Sequence, residues 1–402
     1  MAKSQYAQVP RLQPEISRWM LDHADISAIP EKNRARDLAY LRGERQLTVP
    51  QLESLSRRLH LPMSYFLASA PPDEDFPILQ YRTLGSTHTS MPSRELIDTI
   101  THMDDIQSWI QDQRLDARTD PLDFVGSFYQ NMPVEDAADQ VCSLLGVQRN
   151  WFTGYRHPRS AFDALRDLMS DLGVTTILGK RVGHSSNRPL LVHEFRAFAM
   201  CDSYAPLIFI NANDTEGGQL FSLLHEFVHI CLGMSNLTES NEMTTHYSLV
   251  SPEEQFCNAV AGEVLVPRQS FVQQWAETDH TEDLFLVCQQ LSQDPYSCSV
   301  VVIARRALDL NLISPKDYCT VEEQARKRAQ AEIQRKKSAL SQKKPPINQN
   351  AITKRNLSER FIQMVAAGVA SGTTTFTEAF RLTGTTNKSF FNLVEMAAGI
   401  TL

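Results

Sequence analysis

The sequence predicts an α+β chain, mostly helical, with one small antiparallel sheet. Three observations carry that expectation. Apolar residues recur at helical spacing over most of the chain. Three short runs between residues 174 and 211 are instead dense in β-branched and aromatic residues, bounded by Gly, Pro and Asn. The composition, 42% hydrophobic and 21% charged, is that of a soluble globular protein, and 402 residues are too many for one compact core, so two or three domains are expected.

Other features exclude whole classes. A net charge of −8 argues against a surface coated in cations for non-specific nucleic-acid binding. No apolar run approaches the ~20 residues of a bilayer crossing, and MAKSQYAQVPRLQPEI lacks the apolar core of a secretion signal. Seven cysteines, an odd set without a C-x-x-C pair, read as reduced thiols. A cytoplasmic location without membrane contact is the expectation.

The elements follow in order. Residues 1–70 read as a helical domain, with Ile16, Trp19 and Met20 and then Leu52, Leu55, Leu59 and Phe66 at helical spacing. Pro71-Pro-Asp-Glu-Asp-Phe-Pro77 breaks the pattern and marks a boundary. The second domain, 71–320, opens with helical pattern over 94–145, where Ile97, Ile100, Ile106 and Ile110 share a side. A helix over 160–172 closes at Gly173. Strands are expected over 174–178, 195–200 and 206–211. Their connections look too short for parallel crossovers, hence antiparallel pairing. A glycine-ended helix over 219–233 should pack on this sheet. Ser251-Pro-Glu-Glu begins the next helix, with an N-cap, a first-turn proline and acids at the positive dipole end, and it stops before Pro267. Helices over 282–292 and 299–310 complete the domain. Arg305 and Arg306 there read as solvated. Residues 321–352 form a basic helix and linker, and 353–402 a small helical domain.

The chemistry concentrates in Leu224-His-Glu-Phe-Val-His-Ile230. His225 and His229, four residues apart, stand on one face of a helix one turn apart. That spacing lets two imidazoles bind one zinc ion. Glu226 then faces the metal-bound water, positioned to act as its base. A helix with two hydrogen-bonded histidines is the plain alternative. However, Phe221, Leu223, Leu224, Phe227, Val228 and Ile230 mark a buried helix, where such polar groups are costly unless a metal or partners satisfy them. Glu253, Glu254 and Glu263 on the next long helix offer a third ligand. Glu254 is preferred, because Asn258 lies one turn on along the same face and can orient a ligand histidine from there. His246 and Tyr247 in the intervening loop are candidate donors to the oxyanion of the transition state, or a solvated pair. The strand over 206–211 could receive an extended substrate if it lies at a sheet edge. The same donor set also accepts Mn²⁺ or Co²⁺.

These residues carry a resemblance. The run Phe195-Arg-Ala-Phe-Ala-Met200, then Ala205-Pro-Leu-Ile-Phe-Ile-Asn-Ala-Asn-Asp214, Phe221-Ser-Leu-Leu-His-Glu-Phe-Val-His229 and Glu254-Gln-Phe-Cys-Asn-Ala-Val-Ala-Gly-Glu-Val-Leu-Val-Pro267, resembles the ImmA/IrrE family of zinc metallopeptidases. The likeness covers residues 80–320. It implies a zincin-like domain with zinc on His225, His229 and Glu254 and with Glu226 as general base. It also implies a protein substrate such as a repressor of a mobile element, stress or toxin–antitoxin locus, with a partner encoded by an adjacent gene. Ser222-Leu-Leu replaces the family's usual Thr-Leu-Ala, which touches no proposed ligand. A non-catalytic regulator or antitoxin-like binding protein on the same scaffold is the alternative.

Arg42-Gly-Glu-Arg-Gln-Leu-Thr and the residues to Phe66 look like the second half of an XRE-type helix-turn-helix domain, which implies DNA binding by the N-terminal domain. The stretch between Ile26 and Arg42 is several residues short for both a positioning and a recognition helix, the part that would enter the major groove. A protein-contact role is the other reading.

Overall fold

The computed structural model describes residues 7–72, 74, 92–129, 131–183, 188–238, 251–279, 283–340 and 348–398. Residues 73 and 75–77 of the expected boundary, 341–347 of the linker, and both His246 and Tyr247 lie outside them. The chain divides into two compact units, residues 1–76 with 88–100 and residues 77–87 with 101–402. No described helix is long and apolar enough to cross a membrane.

The first unit holds α1 (Pro14–His23), α2 (Glu31–Leu41) and α3 (Val49–Leu59). Ile16, Met20, Tyr40, Leu41, Leu52, Leu55 and Leu59 form its core. Thr48 and Gln51 close a capping box at the start of α3. Between residues 30 and 42 there is a single helix, α2. Asp37 on it is fully buried and is held by Arg58 at 2.6 Å and Arg36 at 2.7 Å.

The second unit is helical around a small sheet. The helical pattern over 94–145 resolves into α4 (Arg94–Asp116), whose residues up to Ile100 belong to the first unit, and α5 (Val134–Leu144). Arg118 at φ 54° and Pro121 end the first of these. The intervening segment is buried at Phe124 and Phe128. Next come α6 (Pro158–Leu172), closed by Gly173 at φ 100°, and strands β1 (Thr175–Gly179), β2 (Ala197–Met200) and β3 (Leu207–Asn211). Then follow α7 (Glu216–Cys231), β4 (Asn236–Thr238), α8 (Pro252–Leu265), α9 (Arg268–Glu277), α10 (Leu284–Gln293) and α11 (Val300–Asp309). After α12 (Pro315–Leu340) the chain ends with α13 (Gln349–Leu357), α14 (Glu359–Ser371), α15 (Phe376–Thr383) and α16 (Asn387–Ala397).

The α+β class and the helical majority stand, but the sheet is mixed and not wholly antiparallel. Its order is β1-β3-β2-β4, with β1 parallel to β3 and β2 antiparallel to both β3 and β4. Strands adjacent in sequence are joined too closely for a parallel crossover, but β1 pairs with the strand after next. The whole of 180–206 then serves as the connection, ample for a parallel pairing. The same order makes β3 central, with a partner on each side and every residue buried, so it is not the edge strand beside the site.

Helix α7 is buried along nearly its entire length and packs on β2, β3, α6 and α8. Thr215 caps it by accepting from Gly218 N–H at 3.1 Å. Gly217 fits because α11 begins against it: a Cβ there would lie 2.7 Å from Ser299 Cβ. At the other end, the Gly126 and Phe128 N–H groups donate to the Ile230 and Cys231 carbonyls at 3.1 and 2.8 Å. The irregular segment that the periodicity missed therefore satisfies the carbonyl end of the central helix.

The C-terminal helices pack on this body. Arg166, fully within the protein, donates to the carbonyls of Thr176 on β1 at 2.7 Å, Asn356 at 2.9 Å and Arg355. Burial pushes its guanidinium down to about 10, still charged at neutral pH. Trp109 Nε1 on α4 donates to Thr374 Oγ1 at 3.2 Å.

Candidate metal centre

Local signals place each donor. Four residues apart on α7, His225 and His229 have ring centroids 4.8 Å apart. On α8, Ser251 Oγ accepts from Glu254 N–H at 3.3 Å, so the cap fixes the register that puts Glu254 in the first turn. The packing of α8 on α7 then brings the three side chains together.

Their donor atoms converge. The His225 and His229 Nε2 atoms are 3.1 Å apart; Glu254 Oε2 lies 3.1 Å from the first and Oε1 3.0 Å from the second. All three residues are buried, and this is the one His/Cys/Asp/Glu group suited to a metal among the described residues. Ligand atoms of a tetrahedral ion at ~2.0–2.1 Å stand about 3.3 Å apart, close to the spacing observed. Two imidazole nitrogens facing each other across one carboxylate lack the protons to satisfy every pairing, and both Nδ1 atoms are without a hydrogen bond. A divalent cation resolves that conflict, so the residues fit one.

The electrostatics agree with a site built for positive charge. Burial lowers His225, but the Glu254 carboxylate, its hydrogen bond and Glu226 together carry it above its ordinary value. His229 goes the other way, because burial outweighs the pull of Glu254 and His225 repels its proton. Burial raises Glu254, yet the two imidazoles hold its carboxyl well below the usual carboxylate range.

The remaining predicted residues are placed as follows. Glu226 is fully buried and favours the charged form of His225. Asn258 also reaches His225 and favours that form, although the contact falls short of full hydrogen-bond geometry. Glu253 is not in the cluster. Glu263 turns away to Arg306, whose Nε also donates to the Val266 carbonyl at 2.9 Å. Arg306 is therefore a buried ion-pair partner and not a solvated cation, held by the Glu263 carboxylate and the Val266 carbonyl at the end of α8. Arg305 is half-buried, pairing with Asp309 at 3.0 Å and lying over the Tyr318 ring.

One residue at the centre was not anticipated. Asn236, buried on β4, places its carboxamide 3.0 Å from His229 Nε2. The only hint in the sequence is Gly233, which ends α7 and allows the chain to turn back at φ 73°.

Residues 182–307 match the family model described as the IrrE N-terminal-like domain, a peptidase family. Residues 357–396 match one described as a domain of unknown function (DUF8813). The searches of curated proteins and of solved structures gave no match. The first match spans strands β2, β3 and β4, both ligand-bearing helices and most of α11, and supports a metallopeptidase-type domain of the ImmA/IrrE kind there. It does not reach the N-terminal unit.

Proposed function

We propose that the chain is a zinc-dependent regulatory endopeptidase that cuts a specific partner protein, such as a repressor or antitoxin-like protein encoded by an adjacent gene. The observation that carries this reading is the meeting of His225, His229 and Glu254 inside the span that matches a peptidase family. His225, His229 and Glu254 would hold the zinc ion, which would supply the Lewis acidity that polarises a peptide carbonyl and lowers the pKa of water toward ~7. Glu226, buried beside His225, takes the proton of the attacking water and returns it to the leaving amine. Asn258 steadies the His225 ring. Among the described residues β4 pairs with β2 alone, so its outer edge offers main-chain groups to an extended substrate.

The test measures zinc per chain and incubates the purified protein with the products of neighbouring genes. Glu226→Gln is expected to keep zinc and lose about 10²–10⁴-fold in cleavage rate. Undiminished cleavage by that variant would overturn the mechanism. A zinc-loaded parent that binds a neighbouring product without cutting it would make the scaffold a binding platform instead.

A further inference from the structure

We propose that the β1 side of the sheet, opposite β4, carries a nucleic-acid docking surface on which Arg159, Lys180, Arg181 and Arg355 hold the phosphate backbone. It belongs to the second unit and depends on no metal.

The chain path brings these four cations together. Helix α6 turns at Gly173 directly into β1, so the strand runs back along the helix. From Leu172 back to Arg159 the helix covers about 20 Å at ~1.5 Å per residue. From Val174 to Lys180 the strand covers about 20 Å at ~3.3 Å per residue, so the two cations return to the same level. Arg355 arrives from the end of α13. Arg166, midway along α6, donates to the Thr176 carbonyl on β1 at 2.7 Å and to the Arg355 and Asn356 carbonyls, which ties that helix end to the same strand. The backbone after β1 is also fixed. The Lys180 carbonyl accepts from Asn213 Nδ2 at 2.7 Å and from the Leu190 N–H at 3.0 Å, and Arg181 forms an antiparallel bridge with Pro189.

The charges there are poorly compensated, on a chain whose net charge is −8. Lys180, Arg181 and Arg355 are exposed, and none makes an ion pair among the described residues. Arg159 does, with Asp163 at 2.6 Å. Partial burial lowers Lys180, and Arg355, Arg181 and Arg159 press in the same direction, so the four cations stand near enough to repel. Buried Arg166 adds a charge whose bonded acceptors are all carbonyls, offset in part by Asp163 and Asp167. An anion seated among these groups relieves the repulsion.

Donor chemistry selects the anion. Three of the four cations are guanidiniums, whose planar fork matches phosphate oxygens. They sit on three different elements of an open surface, so a polymer that repeats its charge meets several at once. Duplex DNA carries one charge per ~1.7 Å of axis, about twice the density of an all-acidic extended peptide at ~3.3 Å per residue.

The experiment follows the fluorescence anisotropy of a short labelled DNA duplex with the full chain over a salt series. The parent is compared with the double variant Lys180→Gln, Arg181→Gln and with Arg355→Gln, and circular dichroism checks the fold of each. The parent is expected to bind, more weakly as salt rises. The double variant should bind roughly 10–100-fold more weakly near ~0.1 M salt, and its log–log salt slope should flatten by about 2. Arg355→Gln should flatten the slope by about 1. A parent that leaves the duplex free would overturn the proposal, and so would parent-like affinity and slope in a folded double variant, which would put the contact elsewhere. Polyglutamate that displaces the duplex as well as unlabelled DNA does, at equal charge concentration, would overturn the choice of nucleic acid in favour of an acidic protein. If the double variant misfolds, Arg355→Gln decides: an unchanged slope overturns the proposal.

Discussion

Helix α8 carries two buried glutamates nine residues apart, and they meet opposite kinds of partner. Glu254 faces two imidazoles, with each oxygen on one ring. Glu263 faces Arg306, with Arg149 at 3.4 Å and the Arg268 N–H at 3.1 Å. The guanidinium is always charged, so the Glu263 cluster is complete as it stands. The imidazole cluster is conditional, because its charge depends on a proton or a metal ion. Similar burial on one helix thus yields a structural brace at one end and a site that requires a ligand at the other. Burial alone does not tell the two apart; the chemistry of the partner does.

Substitutions at the two glutamates should break the comparison in opposite ways. Glu254→Gln removes a ligand charge and is expected to weaken zinc binding by more than the roughly 10–100-fold that a supporting residue costs. The metal-free protein should lose less stability in urea than the Glu263 variant does, since no permanently charged group is stranded. Glu263→Gln should do the reverse. It leaves Arg306 buried without its carboxylate, a loss of about 3–5 kcal/mol in urea unfolding, with zinc stoichiometry retained in the folded protein. Equal stability losses in the two variants would erase the distinction.

The smallest effect is in pH. His225 is raised in the folded state, so its contribution is full below the ordinary histidine value near ~6.5 and is lost as pH rises through the folded value. Glu254 is depressed, so its contribution is present above the ordinary carboxylate range and fades as pH falls below it. The metal-free protein should therefore lose melting temperature as pH rises from about 7 to 9, where the lowered His229 is already neutral in both states, and Glu254→Gln should flatten that limb. Zinc should remove the loss, because deprotonated imidazoles are the form that binds it. A melting temperature of the metal-free parent that climbs steadily over this range would contradict the assigned shifts.

Elements with local signals were legible from residue order. The Ser251 cap, the glycine stop at 173 and the four-residue histidine spacing each act within one turn of helix, and α8, α6 and α7 appear where those signals put them. The sheet was legible as three strands but not as a topology. Whether β1 pairs with β2 or β3 is set by the helices covering the sheet, and no neighbouring residue records it. The solvated reading of Arg306 failed for the same reason, since Glu263 lies 43 residues away.

Residue order alone therefore determined which side chains could bind a metal, because spacing along a helix is a local quantity that fixes a face. Only the tertiary structure decided that Glu254 joins them, that Glu263 does not, and that Asn236 comes within 3.0 Å of His229. Those choices depend on how two helices and an edge strand pack, and packing is settled by surfaces that meet across long stretches of chain.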